Sequence, residues 1–504
     1  ARRLPLKKIL RFSLCLAAIF KVALVPSLSW AISEIEKVIS SAEIDEGLSP
    51  PQQAAALTHH LEQNGYLLAT VSIEPDGSFV VDPGHISEVA IEGMDLAASA
   101  HAKTIIIESL AKGVTVANLD RALALINDMP GVAASFNFNR LPDGNFELFV
   151  KSSQSKSLGG VSLENTVGNL GKGYKFNLNQ NVSSILTGGD LLRLQGVVVD
   201  GGNTSRQQSI STSYQFPVGS KGAYLEIGAG DYRAQTTLHS RPTAYTTSFG
   251  AIVVPGSKST RSFEGKNYYL TGGYPLIRYH DEAFYLIGQI DYSDDKTLQV
   301  GESAVTHADL GLFYSKQRPD GTSYHLGGFL GIGRSEDFIA NNELTYSSAE
   351  ITAGYITTLK SLSDFTELRI ETNGKLSDKK LPNSKLFSLG SEDFMRGYDS
   401  SVLVGNAGIQ ATAELAHAYY FDGAVLQRVA PYIFVDIGQI SNSTEVSNNR
   451  TRPKSQQLMS IGVGADVLFT NGVSIGGYLG SPLLEDTSGN VPDTIGFVRL
   501  TWNW

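Results

Sequence analysis

The last eleven residues, 494–504, constrain the fold most strongly, because apolar and polar side chains alternate up to the final position. One face of an extended strand here would carry Gly496, Val498, Leu500, Trp502 and Trp504, and the other Phe497, Arg499, Thr501 and Asn503. A strand of an outer-membrane barrel has lipid on its apolar face, water on the other, and aromatic residues at the membrane interface. We therefore expect Trp502 and Trp504 to lie in the aromatic belt of a β-barrel that this strand closes.

The first 31 residues have the features of an export signal. Basic residues precede an apolar stretch at 12–20, and Ser29 and Ala31 are small residues at the two positions that a signal peptidase reads. The alternative is a short amphipathic membrane helix. We expect residues 1–31 to be a signal peptide that is removed on export.

Cysteine content and charge exclude several kinds of site. The only cysteine, Cys15, lies in the predicted signal peptide, so the processed chain would have no disulfide, thiolate metal site or cysteine nucleophile. The same processing leaves 34 basic and 50 acidic residues, a net charge of −16, which argues against a nucleic-acid partner. No later apolar run is long enough for a transmembrane helix, so a membrane-spanning chain would have to be a closed barrel.

Residues 32–153 have a different pattern from the rest of the chain. Helical periodicity is found at 50–65, 100–112 and 116–129, and strand-like segments at 66–74, 78–81, 85–93, 132–140 and 145–151. The second group of these segments has the order β-α-α-β-β. This order predicts a small α/β module that can stand alone beside a membrane.

From about residue 154 to the end, strand-like segments follow one another. Their sixteen centres lie near residues 162, 177, 195, 211, 228, 268, 287, 311, 328, 353, 368, 412, 433, 463, 476 and 499. Tight turns such as 187–190 and 470–472 follow the even strands, and longer connections, at 234–260, 296–306, 373–406, 440–456 and 482–492, follow odd ones. Short turns on one rim and long loops on the other are typical of outer-membrane barrels. The predicted fold is therefore an all-β transmembrane barrel of about 16 antiparallel strands with N-terminal periplasmic α/β domains, and a soluble β-protein is the alternative.

The connection at 373–406 contains a candidate site. If it folds back into the lumen, Arg396 would meet the inward carboxylate of Asp436, which a planar guanidinium can bind through two hydrogen bonds. Gly397 would allow the backbone to turn where a Cβ would clash, and Tyr398 would pack against the wall. The alternative is a solvated arginine in an extracellular loop.

Two motifs here resemble those of a known family. The sequences F-M-R-G-Y at 394–398 and F-V-D-I-G at 434–438 resemble the paired motifs of the two-partner-secretion transporters, the TpsB (haemolysin activation/secretion) family, which is related to BamA. Segments 65–66, 82–86, 116–120 and 125–132 resemble parts of its two POTRA domains. The resemblance implies a signal peptide at 1–31, a short POTRA 1 at 32–83, POTRA 2 at 84–153, and a barrel at 154–504 with an in-folded loop at 373–406.

The resemblance also implies a function. The loop tip in the lumen would be Arg396, Gly397 and Tyr398, and the wall anchor would be Asp436, Phe434 and Gly438. The protein would be an outer-membrane pore of a Gram-negative bacterium that recognises an unfolded exoprotein through periplasmic POTRA domains and translocates it to the surface or medium. The expected partners are a secreted exoprotein, a TpsA-like adhesin or haemolysin, together with outer-membrane lipid and lipopolysaccharide.

The sequence departs from the family pattern in places, and other functions remain open. Met395 stands where the family usually has a smaller aliphatic residue, POTRA 1 lacks a clear opening strand, and the preceding segment is too brief for a plug helix. The alternatives are a BamA-like assembly factor, a porin and a barrel enzyme. The nine histidines have no ligand or triad spacing, so we expect no metal, no cofactor and no enzymatic activity.

Overall fold

The computed structural model describes residues 35–504 except 36, 43–46, 83, 85, 112, 143, 167–172, 202–204, 240–242, 248–249, 255–257, 298–300, 339–341, 442–454 and 485–492. The predicted signal peptide and Cys15 therefore lie outside the described residues. The chain divides into two compact units. One comprises residues up to 90 together with 105–122 and 136–150, and the other comprises 91–104, 123–135 and 151–504.

The first elements are a helix and a two-stranded sheet. Helix α1 is Pro50–Gln63, and strands β1 (Thr70–Ile73) and β2 (Phe79–Asp82) pair antiparallel. Proline suits the first turn of a helix because its missing N–H would have no partner there. Leu61 is fully buried and packs with Ala69 and Ile35, so the helix covers one face of this small sheet.

The next elements follow the predicted order β-α-α-β-β. They are β3 (Ile86–Glu92), α2 (Leu96–Leu110), α3 (Val116–Asn127), β4 (Val132–Arg140) and β5 (Phe146–Gln154), and the sheet order is β3-β5-β4. Helix α2 begins four residues before the predicted start, because the Asp95 carboxylate accepts the backbone N–H of Ala98 at 2.8 Å and caps the helix. No helix within the described ranges is long and apolar enough to cross a membrane.

The described residues after 154 form a closed antiparallel barrel of sixteen wall strands, which confirms the predicted fold class. They are β6 (Ser157–Thr166), β7 (Gly173–Ser183), β8 (Leu191–Asp200), β9 (Ser205–Val218), β10 (Ala223–His239), β13 (Lys258–Arg278), β14 (Glu282–Thr297), β15 (Gly301–Gln317), β16 (Ser323–Asp337), β17 (Asn342–Thr358), β18 (Thr366–Ser377), β21 (Ala407–His417) continued by β22 (Tyr419–Tyr420), β23 (Leu426–Ser441), β24 (Ser455–Phe469), β25 (Val473–Pro482) and β26 (Ile495–Asn503). A hairpin of β11 (Thr243–Thr247) and β12 (Gly250–Val254) lies between β10 and β13. Every predicted centre falls within a wall strand.

The alternation of side chains separates an apolar outside from a polar lumen. On β23, Ile433 and Ile437 are more than half exposed on the outer face, whereas Phe434 and Asp436 are buried inside. Trp502 and Trp504 are exposed on the outer face of β26, with ring centroids 5.1 Å apart. Because the membrane-facing side of a barrel needs an apolar surface, these exposed side chains are the ones that lipid would cover.

The connections differ in part from the sequence prediction. The tight turns are present, but the predicted loop at 296–306 is largely strand, since β14 continues to Thr297 and β15 begins at Gly301. In the same way β18 continues to Ser377, so the connection predicted at 373–406 comprises 378–406. Wall strands that extend beyond the membrane are polar on both faces, so their apolar alternation ends before their backbone pairing does.

Candidate functional site in the barrel lumen

The connection 378–406 turns back into the barrel instead of leaving it. Its strands β19 (Phe387–Leu389) and β20 (Leu403–Gly405) pair antiparallel, and the residues between them lie against inward-facing side chains of the wall. We call residues 378–406 the lumenal loop. Its tip contains Met395, Arg396, Gly397 and Tyr398, all of them buried.

Arg396 binds Asp436 through both its backbone and its guanidinium group. Its backbone N–H donates to Asp436 Oδ2 at 2.8 Å, Nε donates to the same oxygen at 3.3 Å, and Nη2 donates to Oδ1 at 3.0 Å. Nη1 donates to Glu414 Oε2 at 2.8 Å, and Nη2 also lies 2.9 Å from Thr412 Oγ1. The predicted contact is thus present, and it belongs to a larger network on β21 and β23.

The side chains of Arg396 and Asp436 are almost completely buried. Arg396 is 5% exposed and Asp436 is fully buried. Burial opposes the charge of Arg396, but hydrogen bonds to Asp436 and Glu414 outweigh that effect and raise the pKa of its guanidinium above the ordinary value. Removal of one member of such a pair leaves an uncompensated buried charge, which typically costs about 3–5 kcal/mol. The pair is therefore not the weak, solvated contact that a surface arginine would make.

The carboxylate of Asp436 is also held by the wall itself. Thr412 Oγ1 donates to Oδ1 at 2.7 Å and Ser460 Oγ donates to Oδ2 at 3.0 Å. These two hydroxyls come from the strands on either side of β23. The wall hydroxyls therefore orient the carboxylate together with Arg396.

The other two residues of the predicted wall anchor also contact the loop. The guanidinium carbon of Arg396 lies 3.5 Å from the centroid of the Phe434 ring, which is cation–π geometry. A Cβ on Gly438 would lie 2.8 Å from Leu389 Cδ2, so glycine makes room for the apolar part of the loop. Phe434, Asp436 and Gly438 therefore form one continuous inward surface on β23.

A tight turn directs Arg396 towards the wall. The Tyr398 N–H donates to the Met395 carbonyl oxygen at 2.9 Å, and Met395 has a φ of 59°. A positive φ is uncommon for a residue with a side chain. Met395 is fully buried in an apolar cluster with Leu389, Tyr398, Leu403, Ile440 and Leu458, and this packing holds the unfavourable backbone conformation.

Gly397 lies where the loop and the wall come closest. A Cβ at Gly397 would be 2.8 Å from both Pro482 N and Ser460 Cβ, and a Cβ at Gly480 on β25 would be 2.4 Å from the Arg396 carbonyl oxygen. Real Cβ atoms do not approach other atoms so closely, so both positions require glycine. The close approach expected at Gly397 is present in the structure. Gly480 is a second glycine against the loop tip, and the sequence analysis did not identify it.

Tyr398 fixes the other side of the tip. Its hydroxyl lies 2.9 Å from the Met459 carbonyl oxygen and 2.8 Å from that of Leu484, and it accepts the Leu484 N–H at 3.0 Å. Tyr398 is 1% exposed, as expected for a residue packed on the wall.

We expect Tyr398→Phe to keep the ring in place and to loosen only the polar contact. Leaving buried backbone groups without this partner should destabilise the docked loop by about 1–3 kcal/mol. The rate at which a protease cleaves the loop in detergent-solubilised protein would measure this destabilisation. Wild type is the reference, and Tyr279→Phe, on the turn between β13 and β14, is the control. Unchanged cleavage rates would contradict it.

Sequence reasoning missed Glu414, Thr412 and Ser460. All three face inward at the level of Asp436, and β21 and β24 carry the alternation that places them there. Alternation alone gives the face of each residue but not the register between strands. Register is what brings Thr412 and Ser460 to the Asp436 carboxylate and Glu414 to the Arg396 guanidinium.

Comparisons with known proteins agree with this fold. Residues 288–467 match the family model described as "Haemolysin secretion/activation protein ShlB/FhaC/HecB". CdiB from Escherichia coli superposes with a TM-score of 0.75 at 15% identity, over 94% of this chain and 88% of that one. CdiB from Acinetobacter baumannii superposes with a TM-score of 0.70 at 16% identity, over 96% of this chain and 88% of that one. No curated protein sequence matches the chain.

The fold and the site define a class, a closed antiparallel β-barrel with N-terminal α/β elements and an anchored loop in its lumen. Within that class, residues 288–467 are similar to the haemolysin secretion/activation proteins, the family that the two sequence motifs also resemble. The likeness to solved structures is a likeness of fold.

Proposed function

We propose that this pore exports one large exoprotein, an adhesin or haemolysin, as an unfolded chain that passes beside the lumenal loop. The observation that carries the proposal is the buried Arg396–Asp436 contact, which holds 29 residues inside the barrel of a secretion-family protein. A simple diffusion channel would have no use for the α/β elements that precede the barrel. The loop tip and the wall anchor would together define the shape of the translocation path.

We assign residues 1–31 to the signal peptide, 32–83 to POTRA 1, 84–153 to POTRA 2 and 154–504 to the barrel. The order β-α-α-β-β at 86–154 supports the second POTRA domain. These domains would capture the exoprotein by β-augmentation, in which main-chain hydrogen bonds supply affinity with little demand on sequence. Phe79 and Val80 on β2 are exposed and offer apolar contacts for such a segment.

The transport would need neither a cofactor nor enzymatic activity. No nucleotide is available in the periplasm, and folding of the exoprotein outside the cell would draw the chain through. The exposed apolar outer face would contact membrane lipid and lipopolysaccharide. The acidic mature chain disfavours nucleic acid as a partner.

Culture supernatants and outer membranes of the source strain, with and without this protein, test the proposal. We expect one large protein to disappear from the supernatant while the other outer-membrane barrels keep their levels. A general fall in those barrels would instead indicate a BamA-like assembly factor, and no change in either fraction would favour a porin.

A further inference from the structure

Besides Arg396, the lumenal loop forms ion pairs with charged side chains of the barrel wall through Lys385 and Glu392. We propose that Lys385 and Glu392 are positioning residues that hold the loop across the lumen, and that both contacts are released during transport while Arg396 remains bound to Asp436. This inference rests on the proposed function, because it describes how the same loop would make way for an exoprotein.

Lys385 binds the wall on one side. It ends a short 3₁₀ turn, Asn383–Lys385, and its Nζ lies 2.8 Å from both carboxylate oxygens of Asp291 on β14. The two side chains are 19% and 14% exposed, so lumenal water still reaches them. The contact is an ion pair in which one ammonium group binds both carboxylate oxygens, and it is accessible to water.

Glu392 binds the wall at a different place. Its Oε1 lies 3.2 Å from Lys175 Nζ on β7, and its Oε2 lies 2.5 Å from Arg499 Nη2 on β26. Both cations also contact the buried Glu164 on β6: Lys175 Nζ lies 2.6 Å from Oε1, and Arg499 Nε lies 2.5 Å from Oε2. Glu392 thus joins an ion-pair network on the first, second and last wall strands.

The two contacts lie far apart around the barrel. Strand β14 is six strands from β6 in a ring of sixteen, and β21 and β23, which bind Arg396, lie on a third part of the wall. The seven Cα-to-Cα steps from Lys385 to Glu392 can span at most ~25 Å when extended. A segment held at both of these positions must cross the lumen, so its position affects the space open to ions or to an exoprotein.

The three contacts differ in how easily they can break. If Arg396 leaves, Asp436 stays buried without its cation, which is costly. If Glu392 leaves, Lys175 and Arg499 keep Glu164 as their partner. Lys385 and Glu392 are also partly exposed, and ion pairs in that setting are weak and sensitive to salt. The loop would therefore detach at Lys385 and Glu392, while Arg396 and the buried apolar cluster that includes Leu389 stay bound to the wall.

Currents through the purified full-length protein in planar lipid bilayers test the two positions without any exoprotein. Lys385→Ala and Glu392→Gln should each raise the open probability about fivefold, the factor that corresponds to loss of about 1 kcal/mol. Lys385→Arg should retain wild-type currents because it keeps the charge. Lys380→Ala and Asp393→Asn remove exposed charges of the same sign nearby and should also resemble wild type.

A reversible cross-link tests release during transport. A Lys385→Cys and Asp291→Cys pair, joined by a short reducible bis-methanethiosulfonate linker, should block secretion, and reduction should restore it. Each single cysteine variant treated in the same way should secrete normally. The wide reach of a lysine side chain makes a linker a better choice than a direct disulfide.

The outcomes separate this inference from the proposed function. Unaltered currents in both alanine and glutamine variants would overturn the positioning role, and wild-type secretion by the fully cross-linked pair would overturn release. Neither result would touch the secretion proposal, which fails only if the strain lacking the protein loses no exoprotein. In that case the bilayer currents would still decide whether Lys385 and Glu392 hold the loop.

Discussion

Arg396→Ala should reduce exoprotein secretion by about tenfold or more at equal amounts of inserted barrel, because undocking leaves a buried charge that costs about 3–5 kcal/mol. The wall keeps Asp436 and Glu414 facing the place that the guanidinium occupied. The backbone pairing of the barrel involves neither side chain, so folding and insertion should persist. A free 29-residue loop would then occupy the lumen in many positions instead of one.

Secretion assays with outer-membrane fractions and heat-modifiability on gels would measure this effect. Arg334→Ala is the matched control, since Arg334 is a half-exposed arginine on β16 that pairs with Glu336 and Glu343. Asp436→Asn should resemble Arg396→Ala, because the amide keeps the shape but removes the charge. Normal secretion by Arg396→Ala at equal surface levels would refute a role for this contact in transport.

Gly480→Ala should displace the loop tip without changing any charge. The new Cβ would lie 2.4 Å from the Arg396 carbonyl oxygen, and the backbone of the loop would have to shift. Overpacking of this kind typically costs about 1–3 kcal/mol, so we expect a severalfold loss of secretion and faster proteolysis of the loop. Gly397→Ala should act in the same direction, because its Cβ would meet Ser460 and Pro482.

The same secretion and proteolysis measurements apply to these glycine variants. Gly328→Ala on β16 is the control, because a Cβ there would have no atom within 4 Å. If Gly480→Ala behaves like Gly328→Ala, the close approach of β25 to the loop has no part in transport. If Gly480→Ala loses secretion and Gly328→Ala does not, the position of the loop matters for transport even when no charge has changed.

The sequence predicted the barrel well because lipid imposes a pattern on every wall strand. Residues such as Ile433 and Ile437 must face lipid, and that requirement is local to each strand. It ends where the strands leave the membrane, which is why β14 and β15 extend further than predicted. In β21, the pattern also gave the inward direction of Thr412 and Glu414, although their use was not foreseen.

The site was less predictable because it depends on register and on the path of a loop. From the residues alone, the pairing of Arg396 with Asp436 and a solvated arginine were both open, and the resemblance to a family favoured the pairing. The contacts of Lys385 and Glu392 join residues 94 and 217 positions apart along the chain, which alternation cannot reveal. Gly480 lies in a glycine-rich strand, where sequence alone does not single out the glycine that the loop touches.

The apolar cluster around Met395 gives the lumenal loop a second kind of attachment, with physical chemistry opposite to that of its ion pairs. Dissolved ions screen the contacts of Lys385 and Glu392, whereas they do not screen the burial of Leu389, Met395 and Leu458. Strongly hydrated salts even favour apolar burial, and cooling weakens it. Ionic strength and temperature therefore act on different contacts of one segment, so that the medium outside the cell can loosen the ion pairs while it tightens the apolar cluster.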